Sequence, residues 1–356
     1  MIGRIIDSRK TRMFIYVTIK NAHETIKGRL DRHVDPRPHV NDVIDCNVVY
    51  EPGEELPKIS NVNILARCNA PEGVNHDVAD IVTYKQKFEN VVDERFKSIG
   101  ALKVHTPTLV KYRGTSKIQP YETTNVKGKK LYLKFTHDLA LRSIFADTLT
   151  PVYEIGNVFR NMGVSYRHAT EFTMLESHIP CQTLEYGINF AVKILQDFTH
   201  FFGNSDFDNL PVKTLPESFA EFGQNFNELS NKERVDFYKQ TIKKSGTFIS
   251  VYQPVPAAPL ASIDPKTRLA LDAEIIYKGK GISHIYVCDN NYENLLQIFA
   301  EQDSDKHHID KDFLLKAKAG IPPTVCVAIG LDRTISSMFD ITVNDLIVRQ
   351  RLSNER

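Results

Sequence analysis

The sequence lacks any long apolar run. No stretch approaches 18 apolar residues, and the opening "MIGRIIDSRK" has no apolar segment of the signal-peptide kind. We therefore expect neither secretion nor a membrane-spanning segment. A strong charge of either sign is also missing, since the formal net charge is +1 over 356 residues. The overall charge thus does not demand nucleic acid, and any basic surface must be local.

Cysteine is scarce and follows no pattern. The cysteines are five, an odd number, and form no C-x-x-C pair; they stand at Cys46, Cys68, Cys181, Cys288 and Cys326. This usage favours reduced, mostly buried thiols over a disulfide framework, and we expect a cytoplasmic protein. The composition is 42% hydrophobic and 25% charged, which is typical of a globular chain long enough for two domains.

Residues 1–70 are expected to form the first domain. Five β-branched or aromatic runs predict five short strands: "GRIID", "RMFIYVTIK", "ETIKGRL", "DVIDCNVVY" and "ISNVNILA". Five strands in this length suit a small closed barrel of the OB-fold type. Phe14 and Tyr16 share a strand face, and they could either stack unpaired bases or fill the barrel core. With 11 lysines and arginines against 9 acidic residues, this domain permits RNA contact without requiring it.

Residues 71–356 are expected to form the second domain, of the α+β class. Apolar residues at helical spacing predict a helix that stops at Gly100 and another over 184–202. Ser230 and Glu233 form a plausible capping box for a helix near 231–244. Strands are predicted through "ALKVHTPTLV", "GTFISVYQP", "LDAEIIYKG" and "VCVAIGLDR". Helices interrupting a mainly antiparallel strand set are typical of an α+β domain.

A highly charged connection lies in residues 159–176, "FRNMGVSYRHATEFTMLE". It places two arginines, a histidine and two glutamates around a short polar link between β-prone segments. An exposed hairpin would explain this cluster, and so would two strands that form the floor of a polyanion pocket. Two further segments favour the pocket. One is "VHTPTLV" around Pro107, and the other is "VCVAIGLDRTISSMF", where a β run ends at Gly330 and a helix begins near Leu331.

In this order, the three segments resemble the signature motifs of class II aminoacyl-tRNA synthetases. The chain is most similar to the lysyl-tRNA synthetase group and to its paralogue, the lysine ligase that acts on elongation factor P. The stretches "RHATEFTMLE", "PLA" and "AGIPPT" also resemble that group. The resemblance implies an antiparallel catalytic sheet flanked by helices, behind an OB barrel that binds the anticodon. It also implies a homodimer whose interface includes Pro107.

The resemblance further implies that ATP and Mg²⁺ activate an amino acid as its adenylate, which then passes to tRNA or a tRNA-like RNA. Two arginines are the implied catalytic residues: Arg160 would hold the α-phosphate and the substrate carboxylate, and Arg333 the γ-phosphate. Phe172 would stack on adenine, with Arg333 on the other face. Glu274 would bind magnesium. The full ATP-binding set is Arg160, His168, Phe172, Glu274, Gly330 and Arg333.

The amino-acid site departs from the lysine pattern. The implied substrate residues are Gly114, Asp138, Glu176, His178, His284 and Cys288. Cys288 replaces the glutamate that pairs with the lysine ε-ammonium, and a buried ammonium without a carboxylate partner is costly. We therefore expect a substrate other than lysine. Gly281 replaces a second metal-binding glutamate, and Met162 replaces a glutamate of the second motif.

An alternative for the same pocket is a zinc site. The pairs H-x2-C and H-x3-C supply ligand types that zinc takes, at His178, Cys181, His284 and Cys288. Against zinc, Cys181 is an odd number of residues from His178 and would face away on a regular strand. The other interpretation is a repacked, semi-polar pocket.

Two alternative functions remain open from the sequence. The region between Glu176 and Glu274 is short, as in the elongation factor P ligase, so the acceptor could be a protein or a small molecule. Alternatively, Met162 and Gly281 suggest a non-catalytic paralogue that holds RNA or a partner, because a lost metal carboxylate weakens metal-assisted transfer.

Overall fold

The structure is a computed structural model that describes residues 1–69, 77–112, 118–161, 163, 169–254, 259–302 and 310–347. The chain forms two compact units, Met1–Gln86 and Lys87–Arg356. The predicted domains are 1–70 and 71–356. Their boundary lies within residues 70–76, which are outside the described residues, so it stays a prediction. Among the described residues, no helix is long and apolar enough to cross a membrane.

The first unit contains a closed barrel of five strands in the order β1-β2-β3-β5-β4. The strands are β1 Ile2–Lys10, β2 Phe14–Lys20, β3 Thr25–Asp31, β4 Val43–Val49 and β5 Lys58–Ala66. In β2 the side chains alternate, so that Ile15, Val17 and Ile19 lie in the barrel core. Phe14 and Tyr16 are half-buried on the other face. The predicted barrel is confirmed, and the interpretation that these two aromatics fill its core is wrong.

The second unit is built around an eight-stranded sheet in the order β12-β13-β14-β15-β16-β11-β10-β6. Neighbouring strands are antiparallel except at the two edges, where β12 pairs parallel with β13 and β6 parallel with β10. A separate small sheet has the order β7-β9-β8. The strands are β6 Leu102–Lys103, β7 Leu109–Val110, β8 Glu122–Thr124, β9 Lys130–Leu133, β10 Val152–Phe159, β11 Glu171–Pro180, β12 Val212–Thr214, β13 Phe248–Gln253, β14 Ala270–Tyr277, β15 Lys280–Val287 and β16 Thr324–Gly330.

Eight helices are described in the chain: α1 Val78–Lys97, α2 Asp138–Thr148, α3 Leu184–His200, α4 Leu215–Glu221, α5 Asn231–Gln240, α6 Tyr292–Gln302, α7 Lys311–Ala319 and α8 Leu331–Phe339. A 3-10 turn, Ile242–Lys244, follows α5. The predicted capping box of α5 is confirmed, because Ser230 accepts from the backbone of Glu233 and the Glu233 carboxylate accepts in return. Helices and a largely antiparallel sheet make the predicted α+β class correct.

One predicted strand is wrong. The segment "ALKVHTPTLV" forms two short strands, β6 and β7, that belong to different sheets. The stretch around Pro107 connects them, and proline has no N–H for a sheet ladder. The Glu154 carboxylate in β10 instead accepts the backbone N–H of Thr106 at 3.0 Å, which fixes the connection to the large sheet.

Candidate active site

One face of the large sheet carries a row of polar side chains. Strand register places Glu154 opposite Glu176, Glu176 opposite Ala328, Ala328 opposite His284, and His284 opposite Glu274. Directly opposed residues of antiparallel strands project from the same face. The structure therefore brings three predicted residues, distant in sequence, into one row across four adjacent strands from β11 to β14.

A second row lies two residues further along the same face. His178 pairs with Cys326, Cys326 with Tyr286, and Tyr286 with Asp272. Phe172 lies on this face too, because it is an even number of residues before Glu176 and His178 in β11. The predicted nucleotide and amino-acid residues of β11 thus occupy opposite ends of one continuous surface.

Arg160 follows the last residue of β10, at the nucleotide end of the surface. Its backbone N–H donates to Thr170 O at 2.8 Å, and its guanidinium carbon lies 5.0 Å from the centroid of the Phe172 ring. Burial lowers the pKa of this guanidinium; nearby Glu176 opposes the shift, and Arg333 adds to it. Arg160 and Arg333 are therefore close enough to interact electrostatically.

Arg333 lies in the first turn of α8, which begins at Leu331 directly after β16, as predicted. Asp332 accepts the backbone N–H of Thr173 at 2.7 Å and so ties this turn to β11. The Arg333 Nη1 donates to Gly281 O at 3.0 Å. Burial lowers the pKa of Arg333, and Glu274 opposes that shift. Gly330 is the N-cap residue of α8.

Glu176 is buried, with its carboxylate held by the start of α2. It accepts the Thr136 hydroxyl at 2.6 and 2.8 Å and the backbone N–H of His137. These hydrogen bonds satisfy the buried charge. Their effect is to fix the carboxylate in the middle of the surface, between Arg160 and the second row.

At the predicted amino-acid end, Asp138 is engaged on both oxygens. Its Oδ1 lies 2.8 Å from His178 Nε2, and its Oδ2 accepts the Tyr286 hydroxyl at 2.7 Å. The other ring nitrogen of His178 lies 3.6 Å from Cys288 Sγ. Burial alone would lower the pKa of His178, but Cys288 and Asp138 raise it to about 9. The pocket is thus closed by an imidazolium–carboxylate pair of the protein itself.

Two residues of this network escaped sequence reasoning. Tyr286 lies on β15, two residues before Cys288, and alternation could have indicated it. Arg142 stands one helical turn after Asp138 and is fully buried, with a guanidinium that donates to Asp289 O. Residues four apart on a helix are neighbours, so the spacing between Asp138 and Arg142 could have indicated that Arg142 belongs to this network. Burial raises the pKa of the Cys288 thiol, but Arg142 and His178 outweigh burial and hold it below its usual value.

His284 lies between the two ends and pairs with a carboxylate that the sequence did not indicate. Its Nε2 bonds Asp272 Oδ2, and Asp272 is only 1% exposed. The His284 side chain is 47% exposed, and Asp272 raises its pKa to about 9. A cavity of about 230 Å³ adjoins this pair and is also lined by Tyr238, Lys243 and Glu274.

The donor set around Glu274 does not fit the magnesium site that the resemblance implied. Its Oε2 accepts the Tyr238 hydroxyl at 2.9 Å, and its Oε1 accepts the Lys243 ammonium. Position 281 supplies no carboxylate. A Cβ atom there would collide with Glu274 Oε1 and lie 2.6 Å from Lys243 Nζ. Magnesium requires an octahedron of oxygen ligands, whereas a cation of the chain already contacts this carboxylate.

The four candidate zinc ligands, His178, Cys181, His284 and Cys288, do not form one cluster. Cys181 is exposed, whereas Cys288 is buried against His178. Within the described residues, one group of three has ligand atoms within 4.8 Å of one another: Asp138, His178 and Cys326. Burial and the Asp138 charge raise the pKa of the Cys326 thiol, which opposes the thiolate that zinc binds. The arrangement is a hydrogen-bonded polar pocket.

Three predicted or diagnostic positions, Gly114, Met162 and His168, lie outside the described residues. Pro107 is described and exposed, next to the exposed Leu109. Its role in a dimer interface stays a prediction.

The comparisons with known proteins agree with this geometry. The family described as tRNA synthetases class II (D, K and N) matches residues 64–348. A lysine–tRNA ligase of Buchnera aphidicola subsp. Schizaphis graminum is 26% identical over 328 residues, with 76% of this chain and 65% of that protein covered. The lysine–tRNA ligase of Thermotoga maritima is 28% identical over 342 residues, with coverages of 83% and 67%.

The chain therefore belongs to the class II tRNA synthetase family, as its motifs implied. It spans 65% and 67% of the lengths of these two curated relatives, and 58% of a third, the lysine–tRNA ligase of Buchnera aphidicola subsp. Acyrthosiphon pisum.

Proposed function

We propose that this protein is an ATP-dependent ligase that activates an amino acid as its adenylate and transfers it to an acceptor. The observation that carries the proposal is the placement of Arg160, Phe172 and Arg333 at one end of a single sheet face. Two partly desolvated guanidinium groups beside an aromatic ring suit a nucleoside triphosphate, whose phosphates and base need those partners.

The residues of the chain divide the work as follows. Arg160 holds the substrate carboxylate against the α-phosphate, and a carboxylate oxygen attacks that phosphorus. The bridging bond to the β-phosphate breaks, and pyrophosphate leaves with the electron pair. Arg333 stabilises the charge that builds on the leaving phosphates. No proton needs to move in this step, so fixed positive charge and alignment supply the catalysis.

We propose that the substrate is not lysine. Cys288 offers no carboxylate to an ε-ammonium, and both oxygens of Asp138 already have donors from His178 and Tyr286. A lysine side chain in this pocket would bury an unpaired charge next to the cations of His178 and Arg142. That combination is unfavourable by several kcal/mol.

We propose tRNA or a tRNA-like RNA as the acceptor, because the barrel unit keeps aromatic rings on its outer face. Phe14 and Tyr16 are half-buried there, and Arg29 lies 5.1 Å from the centroid of the Phe14 ring. An aromatic surface with a guanidinium suits unpaired bases. A protein or small-molecule acceptor is the alternative that the short region between Glu176 and Glu274 supports. In keeping with the family, we propose a cytoplasmic homodimer.

A second candidate function is a non-catalytic protein that holds RNA or a partner. The observation in its favour is Glu274, which pairs with Lys243 in a donor set that does not fit magnesium. Of the two candidates, the ligase alone requires nucleotide binding and adenylate formation.

Thermal melting tests the nucleotide site that the ligase requires and the second candidate does not. A ligand that binds only the native state raises the melting temperature with its concentration. Millimolar ATP should raise it by several degrees, and the same concentration of inorganic phosphate should not. Equal melting curves with and without ATP would refute the nucleotide site.

A further inference from the structure

Lys243 occupies a position that neither motif nor resemblance indicated. It lies in the 3-10 turn after α5, 31 residues before Glu274, and its ammonium bonds Glu274 Oε1. The pair is largely enclosed, with 25% of the Lys243 side chain and 19% of the Glu274 side chain exposed. The Tyr238 hydroxyl donates to the other oxygen at 2.9 Å. The chain itself therefore provides a cation and a second donor for this carboxylate.

Gly281 is part of the same arrangement. Any side chain there would begin with a Cβ atom 2.6 Å from Lys243 Nζ and in collision with Glu274 Oε1. The backbone of Gly281 faces the nucleotide end, because its carbonyl accepts from Arg333 Nη1 at 3.0 Å. The ammonium and the guanidinium thus lie on two sides of one glycine, and position 281 is free of any carboxylate that would attract metal.

We propose that the Lys243 ammonium is the resident cation at Glu274, in place of a divalent metal ion, and that it serves the phosphate end of the nucleotide site. This inference rests on the proposed function, since it assumes that a nucleoside triphosphate binds between Arg160 and Arg333. An unpaired Glu274 would repel the phosphates near Arg333. The ammonium neutralises that carboxylate and adds a donor that borders the 230 Å³ cavity.

ATP affinity with and without magnesium tests this inference. The wild-type protein and three variants are titrated with ATP in excess EDTA and again in millimolar MgCl₂. Lys243→Met removes the charge and keeps the length of the side chain. Lys243→Arg keeps the charge. Lys239→Met is the matched control, because Lys239 lines the same cavity and makes no described contact with Glu274. Melting curves confirm that each variant is folded.

The wild-type protein, Lys243→Arg and Lys239→Met should bind ATP in EDTA within about threefold of their affinity in MgCl₂. Lys243→Met should bind at least about tenfold more weakly in EDTA and recover with MgCl₂. Wild-type binding that is lost in EDTA would overturn the inference and leave the proposed function intact. So would a Lys243→Met protein that equals the wild type in EDTA. ATP binding in neither buffer would refute the proposed function, and the role of Lys243 with it.

Discussion

His178 Nε2 and Asp138 Oδ1 lie 2.8 Å apart, at the end of the surface that was predicted to bind the amino acid. His178 is 0% exposed, and Asp138 is 7% exposed. A buried cation and a buried anion of the same chain therefore face each other in this pocket. We expect this pair to make the stability of the protein depend on pH and, under the proposed function, to disfavour lysine as the substrate.

Stability should fall as the pH rises from about 6.5 to about 9. Cys288 and Asp138 raise the pKa of His178 to about 9, above its ordinary value of 6.5. A raised pKa stabilises the folded protein fully below pH 6.5, and this contribution is lost as the pH passes through 9. We expect the free energy of unfolding in urea to decrease by about 1–3 kcal/mol over this range.

The matched variant is His178→Asn, which keeps a hydrogen-bond donor and does not titrate. Its stability should be lower at pH 6.5 and should fall less than that of the wild type up to pH 9, where the remaining loss comes from His284, whose pKa Asp272 also raises to about 9. If wild type and variant lost stability in parallel, His178 would not be the titrating group.

The two arginines at the nucleotide end should be needed for ATP affinity. Arg333→Met removes a partly desolvated charge beside the phosphates, and we expect a loss of about 2–4 kcal/mol in binding, or at least about thirtyfold in Kd. Arg160→Lys keeps the charge but loses the bidentate hydrogen bonds of the guanidinium, so we expect a smaller loss of ATP affinity. Isothermal titration with ATP measures both. Arg12→Met, an exposed change in the barrel unit, is the control and should bind normally.

The outer face of the barrel should contribute to RNA affinity through its aromatic rings. Phe14→Ala and Tyr16→Ala should each weaken binding of a tRNA anticodon stem-loop by about 1–3 kcal/mol. Filter binding or fluorescence anisotropy measures the change. Thr18→Ala on the same face of β2 is the matched control, since it removes no ring. RNA affinity unchanged by all three substitutions would argue that the acceptor does not contact this face.

Local patterns in the sequence were sufficient for much of the fold. Runs of β-branched and aromatic residues predicted the barrel strands, and the β run ending at Gly330 predicted the start of α8 near Leu331. These features depend on neighbours within a few residues, which a sequence displays directly.

The contacts that define the site were harder to predict because they join distant segments. Lys243 reaches Glu274 across 31 residues, and Tyr286 reaches Asp138 across 148. The break between β6 and β7 depends on which sheet each half joins, and a proline beside a β-prone run does not indicate that. The departures at Gly281 and Cys288 showed where to look, but the cation and the hydrogen-bond partners became evident only in three dimensions.

ATP–pyrophosphate exchange tests the central claim most directly. The purified protein is incubated with ATP, labelled pyrophosphate and each of the common amino acids in turn, with lysine and ornithine analogues added to the panel. The account predicts exchange stimulated by a compound other than lysine and abolished in Arg333→Met. Exchange stimulated best by lysine would contradict the proposed substrate class. No exchange with any compound, in a protein that also fails to bind ATP, would contradict the ligase itself.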